Sequence, residues 1–358
     1  MADQNEPPLR LGILGCANIA RQFARDVAPS RAVRLQAVAS RDAARAAEFA
    51  ARFGLPRAHG SYEALLADPE VDAVYIPLPN SLHAEWAIAC AHHGKHVLCE
   101  KPLAMDHAQA RAMFDAARGA GVFLLEGYPW WFQPQTGALV DLLQGGAIGR
   151  VRSVQVSFSF MLRDPAGTDI RSRPETGGGA LMDLGCYCLS LIRLATGRAP
   201  RRVQAHSRLA PTGVDIATAA TLEFDDGVSA QLMCSMDAAL HRHATIAGSD
   251  GFITTEFLNH TAAPGEAHPW GYQPSQMRVR RGAGNGPVLD VKSAPGSGFR
   301  FAAEAFADVV TRRDQAAIDR AAAASLDIAA TLEAIAASAH RGAPVSLADI
   351  VTAPKAPQ

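Results

Sequence analysis

Five short apolar runs, at residues 9–14, 35–40, 71–77, 96–100 and 122–128, alternate with four stretches of helical periodicity, at 17–27, 42–53, 82–93 and 106–118. Strands that are apolar almost throughout suit a sheet buried on both faces, and a helix between successive strands makes them parallel. The first third therefore predicts a parallel sheet with helices on both sides. After Tyr128 the rhythm changes. A helix is expected around 136–144, a long strand at 151–162 and a glycine-introduced helix at 180–195. Residues 203–257 read as strands without helices between them, including a hairpin where Asp225-Asp226-Gly227 separates 217–224 from 228–236. This block predicts an antiparallel or mixed sheet. Residues 259–298 are rich in Gly and Pro and weakly periodic, and helices near 299–312 and 325–341 close the chain. At 358 residues the chain exceeds what one core organises. Two α/β domains are expected, at 1–127 and 128–358.

Charge narrows the partners. Lys plus Arg (34) against Asp plus Glu (35) gives a net charge of −1, with no positive excess for nucleic acid or an anionic membrane. Four residues are lysines, Lys95, Lys101, Lys292 and Lys355, so each is easy to weigh. The longest Ala/Ile-rich run, 321–339, is interrupted by Asp327 and Glu333, and the opening residues are polar. A cytoplasmic chain without a membrane span or secretory signal is expected. Cys16, Cys90, Cys99, Cys186, Cys188 and Cys234 form no Cys-x-x-Cys pair and read as small hydrophobes in a reducing compartment. His241 and His243 share one face of a strand, but no Asp, Glu or Cys stands at ligand spacing, so no metal site is expected.

Residues 11–20, LGILGCANIA, describe a strand, a tight turn and a helix start. Backbone amides at Gly15, Ala17, Asn18 and Ile19 then suit a pyrophosphate. Of the Gly-x-Gly-x-x-Gly pattern only Gly15 remains, with Ala17 and Ala20 at the other positions, and the same turn also serves as a plain strand-to-helix connection. At the end of the second strand, where an NAD site usually carries Asp or Glu, stand Ser40 and Arg41. A hydroxyl and a guanidinium suit a 2′-phosphate, which favours NADP over NAD. The alternative is a solvated Arg41 beside Asp42 capping the next helix; Asp42 can do so and leave Arg41 free.

Residues 74–104, VYIPLPNSLHAEWAIACAHHGKHVLCEKPLA, hold Pro79-Asn80, His83 and Glu100-Lys101-Pro102. In that order they resemble the signature of the Gfo/Idh/MocA family of dinucleotide-dependent oxidoreductases. A second block, RSRPETGGGALMDLGCYCLSLIR at 171–193, resembles the family's substrate-site helix, with Asp183 and Tyr187 at its Asp and His/Tyr positions. The resemblance covers nearly the whole chain and is most similar to the sugar dehydrogenase and dimeric dihydrodiol dehydrogenase branch. It implies a Rossmann domain followed by an α/β domain whose large, open, mainly antiparallel sheet packs against a second subunit, giving a homodimer or homotetramer. It adds Pro79, Asn80, His83, Glu100 and Lys101 to the cofactor residues.

Lys101 falls at the carboxyl end of a parallel strand, where ligands of open α/β sheets bind, and residues 183 and 187 share a helix face. A phenol of free pKa near ~10 is a poor base at neutral pH, and a nearby ammonium stabilises its phenolate. The resemblance therefore implies Tyr187 as proton carrier, Lys101 as its tuner and holder of the reacting oxygen, and Asp183 as an orienting group. The alternatives are a surface strand end at Lys101, core filling at Tyr187 and an Asp183 paired with a nearby Arg. The implied reaction is hydride transfer between NADP and a hydroxyl-bearing carbon of a neutral sugar, with a trans-dihydrodiol or a cyclic polyol or ketose as other substrates. From a different class, a non-catalytic NADP-binding regulator also fits. Much of this branch carries an aromatic-Arg-Phe-His-Pro run, whereas Pro129-Trp130-Trp131-Phe132-Gln133-Pro134 puts Trp131 and Gln133 at the Arg and His places. Trp130 and Trp131 read either as core or, for at least one of them, with Trp131 the candidate, as a stacking surface for a ring substrate.

Overall fold

The computed structural model describes residues 7–164 and 167–352. The opening stretch 1–6, residues 165–166 and the terminal 353–358, which include Lys355, lie outside the described residues. The chain forms two compact units, one of Met1–Ala104, Gln109–Phe132 and Ser297–Ser325, the other of Met105–Ala108, Gln133–Gly296 and Leu326–Gln358.

In the first unit β1 (Leu9–Leu14), β2 (Val33–Ala39), β3 (Arg57–His59), β4 (Ala73–Ile76), β5 (His96–Glu100) and β6 (Leu124–Gly127) form a parallel sheet in the order β3-β2-β1-β4-β5-β6. Five of these match the apolar runs. β3 does not: Arg57-Ala58-His59 is too short and polar to register by pattern. It holds the sheet edge because Arg57 Nε and His59 Nε2 both reach the buried Asp68 carboxylate, at 2.6 and 2.9 Å. The helices are α1 (Asn18–Val27), α2 (Ala43–Phe53), the short α3 (Tyr62–Leu66), α4 (His83–His92) and α5 (His107–Ala120).

A single cut after Gly127 misses one return of the chain. The helix Gly298–Arg312 belongs to the first unit, where Phe299, Ala303, Phe306 and Ala307 share a core with Leu11, Ile13, Phe23 and Tyr75. Phe23 stacks on Tyr75 with centroids 3.7 Å apart and meets Phe299 edge-on at 5.6 Å. Each such ring gains roughly 1.5–3 kcal/mol from burial, which is what recruits a helix so distant in sequence.

The second unit is built on nine strands in the order Val288–Asp290, Met277–Arg281, Gly251–Thr255, Asp237–Gly248, Val151–Met161, Ser229–Ser235, Asp215–Glu223, Arg202–Leu209 and Val345–Ser346. Val151–Met161 and Ser229–Ser235 run parallel, and the other neighbours are antiparallel. The hairpin at Asp225-Asp226-Gly227 forms as the turn residues require, with Glu223 opposite Ser229. The weakly periodic 259–298 contributes two outer strands whose polar faces hide their pattern. Val154, Val156, Ala230, Leu232 and Leu222 are buried on one face, and Gln155, Gln231, Met233 and Thr221 alternate with them, exposed.

Among the described residues, two helical stretches, Pro174–Thr196 and Gln315–Arg341, are long and apolar enough to cross a membrane by length and composition, but the most apolar part of each is mostly buried inside the protein. The second begins at Gln315 rather than near 325, because Asp314 Oδ1 accepts from Ala317 N at 2.9 Å and caps the alanine-rich turns. Its two interrupting acids are engaged: Asp327 Oδ2 accepts from Arg193 Nε at 2.5 Å and Glu333 Oε2 from His107 N at 3.1 Å.

Candidate active site

The candidate residues fall in both units. In the first, strand order reverses between β1 and β4, and the crevice beyond such a reversal is where open α/β sheets take ligands. Gly15 turns the chain there at φ +109°, and a Cβ on it would lie 3.0 Å from Leu78 Cδ2. Glycine thus keeps open a cleft of about 540 Å³ lined by Gly15, Ala17, Ser40, Arg41, Arg45 and Pro79 among others. Ala17 is the N-cap of α1 and no side chain caps that helix, so the exposed turn at Asn18 and Ile19 presents its first amides without an internal competitor.

At the end of β2, Asp42 caps α2 by accepting from Ala44 N at 2.9 Å and Arg45 N at 3.3 Å, and Ser40 Oγ accepts from Asp42 N at 3.2 Å. The capping alternative and the phosphate reading thus coexist: the carboxylate is used locally, and Arg41 lines the cleft. Arg45, one helical turn on, lines it too, as does Tyr62. Burial pushes the Tyr62 phenol up, opposed by Arg41 and Arg45. Pattern reading missed both Arg45 and Tyr62. Arg45 was detectable from its i+4 spacing to Arg41; Tyr62 had no local signal. The cleft fits a dinucleotide, with the Gly15 turn for a pyrophosphate and two guanidinium groups for a further phosphate.

Lys101 follows β5 and is half-buried, joined to Pro102 by a cis peptide. Glu100 points into the protein, where Tyr75 Oη donates to its Oε1 at 2.6 Å, and its Oε2 accepts from Lys101 N at 3.3 Å. Nearby, the buried Glu126 accepts from Leu103 N at 2.9 Å, and burial pushes its carboxyl up to about 7. His83 is wholly buried, with Nδ1 2.9 Å from Pro102 O and Nε2 2.9 Å from Leu78 O. It ties the cleft loop after β4 to the loop bearing Lys101, and burial pulls its imidazole down. Glu100 and His83, expected at the cofactor, brace these loops from within. Pro79 lines the cleft and Asn80 opens the turn Asn80–Leu82 leading into α4. Trp130 is fully buried and Trp131 half-buried in the turn Pro129–Phe132, their centroids 6.0 Å apart.

In the second unit the expected helix begins as a wider π turn, Leu181–Gly185, which runs into an α-helix, Cys186–Thr196. Asp183 lies in the former and Tyr187 in the latter. Asp215 holds the start of the turn by accepting from Leu181 N at 2.8 Å, and a Cβ on Gly179 would strike its carboxylate. That contact accounts for Gly179 within the Gly177-Gly178-Gly179 run. Asp183 does pair with an arginine: its Oδ2 accepts from Arg171 Nε at 2.8 Å, and Arg171 Nη1 also reaches Asp169 at 3.2 Å. Burial opposes the Arg171 charge, but Asp183 and Asp169 outweigh it and raise its pKa.

Tyr187 is buried, with Phe158 edge-on at 5.6 Å. Its Oη accepts from Asn259 Nδ2 at 3.0 Å. The Asn259 backbone is pinned in turn by the buried Gln133, whose Nε2 donates to Asn259 O at 2.7 Å and Gly296 O at 2.8 Å. The His-to-Gln departure at 133 therefore serves a loop anchor. The Arg242 guanidinium lies 4.6 Å from the Tyr187 ring centroid, 4.5 Å from that of Phe158 and 4.3 Å from that of Phe257, and burial lowers its pKa to about 10. Nothing in the run Leu240-His241-Arg242-His243 marks the Arg242 guanidinium as turned inward.

Residues 9–128 match the model described as the oxidoreductase family, NAD-binding Rossmann fold, and 136–254 match the GFO/IDH/MocA C-terminal domain. The chain is 37% identical over 340 residues to a D-xylose 1-dehydrogenase (NADP(+)) of Haloferax volcanii, covering 95% of this chain and 100% of that protein. It is 37% identical over 254 residues to the trans-1,2-dihydrobenzene-1,2-diol dehydrogenase of Mus musculus, covering 70% and 75%. Among solved structures, an aldose-aldose oxidoreductase from Caulobacter crescentus complexed with glycerol superposes with a TM-score of 0.83 at 27% identity over 95% of this chain and 99% of that one. With both domain models matched in order and a relative covered from end to end, the chain belongs to the Gfo/Idh/MocA family of oxidoreductases.

Proposed function

We propose that the protein is an NADP-dependent dehydrogenase acting on a neutral sugar, of the aldose 1-dehydrogenase type. The observation that carries this reading is the similarity to the NADP-dependent D-xylose 1-dehydrogenase across that enzyme's whole length. The cleft supports the cofactor choice, because Arg41 and Arg45 offer two permanent charges where a carboxylate would repel a 2′-phosphate. A bound nicotinamide supplies the hydride acceptor or donor. Tyr187 Oη takes the proton of the substrate hydroxyl during oxidation and returns it during reduction. Lys101 holds the reacting oxygen and favours the phenolate. Asp183, fixed by Arg171, accepts a second substrate hydroxyl. Trp131 offers an aromatic surface to an apolar ring face.

A second reading, trans-dihydrodiol oxidation, is favoured by the similarity to the Mus musculus enzyme; a non-catalytic NADP-binding regulator predicts no turnover at all. The exposed sheet face of Gln155, Gln231 and Met233 takes a second copy of the chain, giving a homodimer or a homotetramer. Six buried cysteines suit a cytoplasmic location. NADP reduction across a panel of aldoses, cyclic polyols and trans-dihydrodiols tests the activity. Turnover of an aldose is expected, and Tyr187→Phe should lose on the order of 10² in kcat with NADPH affinity unchanged. Turnover of a dihydrodiol alone selects the second reading, and none on any substrate selects the regulator.

A further inference from the structure

We propose that Arg242 and Asn259 are positioning residues that hold Tyr187 in its proton-accepting form, through the chain Arg242 to Asn259 to Tyr187. The inference rests on the reading of Tyr187 as the proton carrier and assigns the charge that supports it from within the same unit.

The hydrogen bonds have one consistent direction. Arg242 Nη1 donates to Asn259 Oδ1 at 3.2 Å, which orients the amide so that its Nδ2 donates to Tyr187 Oη at 3.0 Å. A donor aimed at a phenol oxygen stabilises the phenolate more than the phenol, since the bond to a charged acceptor is the stronger. The guanidinium adds a direct field, 4.6 Å from the Tyr187 ring centroid. Arg242 is half-buried as a residue, but its Nε and Nη2 are buried and have no hydrogen-bond partner among the described residues. A cation in that position is costly unless a negative charge forms beside it.

Other groups around Tyr187 do not replace this role. Phe158 and Phe257 complete the cage of rings, and Cys188 stays a neutral thiol because burial pushes it up. Asp183, one turn earlier, is paired with Arg171. The surrounding structure is also built to keep the relay in place. Phe257 stands at φ +40°, a conformation bulky residues avoid, and it presents its ring to Arg242 at 4.3 Å. Gln133 fixes the Asn259 backbone. A guanidinium wanted only for packing would need neither the strained Phe257 nor the oriented amide.

The test reads Tyr187 ionisation directly, without substrate. The tyrosinate absorbance of the purified protein is titrated with pH, and the same titration of Tyr187→Phe is subtracted to isolate Tyr187. Arg242→Met keeps the stem in the aromatic cage and removes the charge; Asn259→Leu removes the donor and leaves the guanidinium. Each should move the Tyr187 midpoint upward by about one pH unit or more, the low end for a charge within 4–6 Å, and Arg242→Lys should restore much of it. The acid limb of kcat/KM for oxidation should move with the midpoint. If Arg242→Met fails to fold, Asn259→Leu carries the decision. A midpoint unchanged in the folded variants overturns the inference and leaves Arg242 a packing residue, while full turnover in Tyr187→Phe instead overturns the proposed role of Tyr187.

Discussion

Tyr75 Oη donates to Glu100 Oε1 at 2.6 Å inside the first unit, and this bond fixes the carboxylate one residue before Lys101. Tyr75 also carries the stack on Phe23, so its ring belongs to the core and its hydroxyl to the loop that presents Lys101. Tyr75→Phe keeps the ring and leaves a buried carboxylate short of a donor. It should cost about 1–3 kcal/mol. Urea unfolding measures this, and no loss would mean that Glu100 finds another donor.

Arg41 and Arg45 give a comparison between cofactors. Arg41→Ala should weaken NADPH by roughly 1.5–3 kcal/mol, as for a hydrogen bond to a charged group, and leave NADH nearly untouched. Arg45→Ala should act in the same direction. Parallel fluorescence titrations with both nucleotides decide it; equal losses for NADH and NADPH would show that neither arginine reads the phosphate.

Glu126 links pH to stability. Burial raises its carboxyl from an ordinary 4.5 to about 7 in the folded protein, so between these values the native state binds more protons than the unfolded one. Its contribution to stability is fully present below about pH 4.5 and is lost as pH rises through about 7. The loss is on the order of 3 kcal/mol. Glu126→Gln should therefore gain stability relative to the unmutated protein as pH is raised from 5 to 8, an experiment in which a constant difference would contradict the assignment.

Trp131 is half-buried at the place where the family resemblance implies an Arg in much of the branch, and an indole favours neutral ring substrates over phosphorylated or carboxylated ones. Trp131→Arg should raise KM for the best neutral substrate with little change in kcat, because stacking away from the reacting carbon serves ground and transition states alike. Comparing a free sugar with its phosphate checks the premise: a preference for the phosphate in the unmutated enzyme would reject it.

The parallel sheet was legible because buried strands are apolar on both faces and leave continuous runs, which is why β1, β2, β4, β5 and β6 stand where the runs predict. Gly15, Ser40, Arg41 and Lys101 were expected from their places at strand ends, where ligands of open α/β sheets bind, and the first three line one cleft. Tertiary structure alone decided what depends on contacts between distant segments. β3 exists because Asp68 gathers Arg57 and His59, the helix Gly298–Arg312 joins the first unit because its rings complete the core of Phe23 and Tyr75, and His83 and Glu100 prove to be internal braces. Arg242 and Asn259 are the clearest case. They are 17 residues apart from each other, and Asn259 is 72 from Tyr187. An arginine between two histidines in a strand reads as solvated, and only the packing of three aromatic rings around it makes burial of its charge possible.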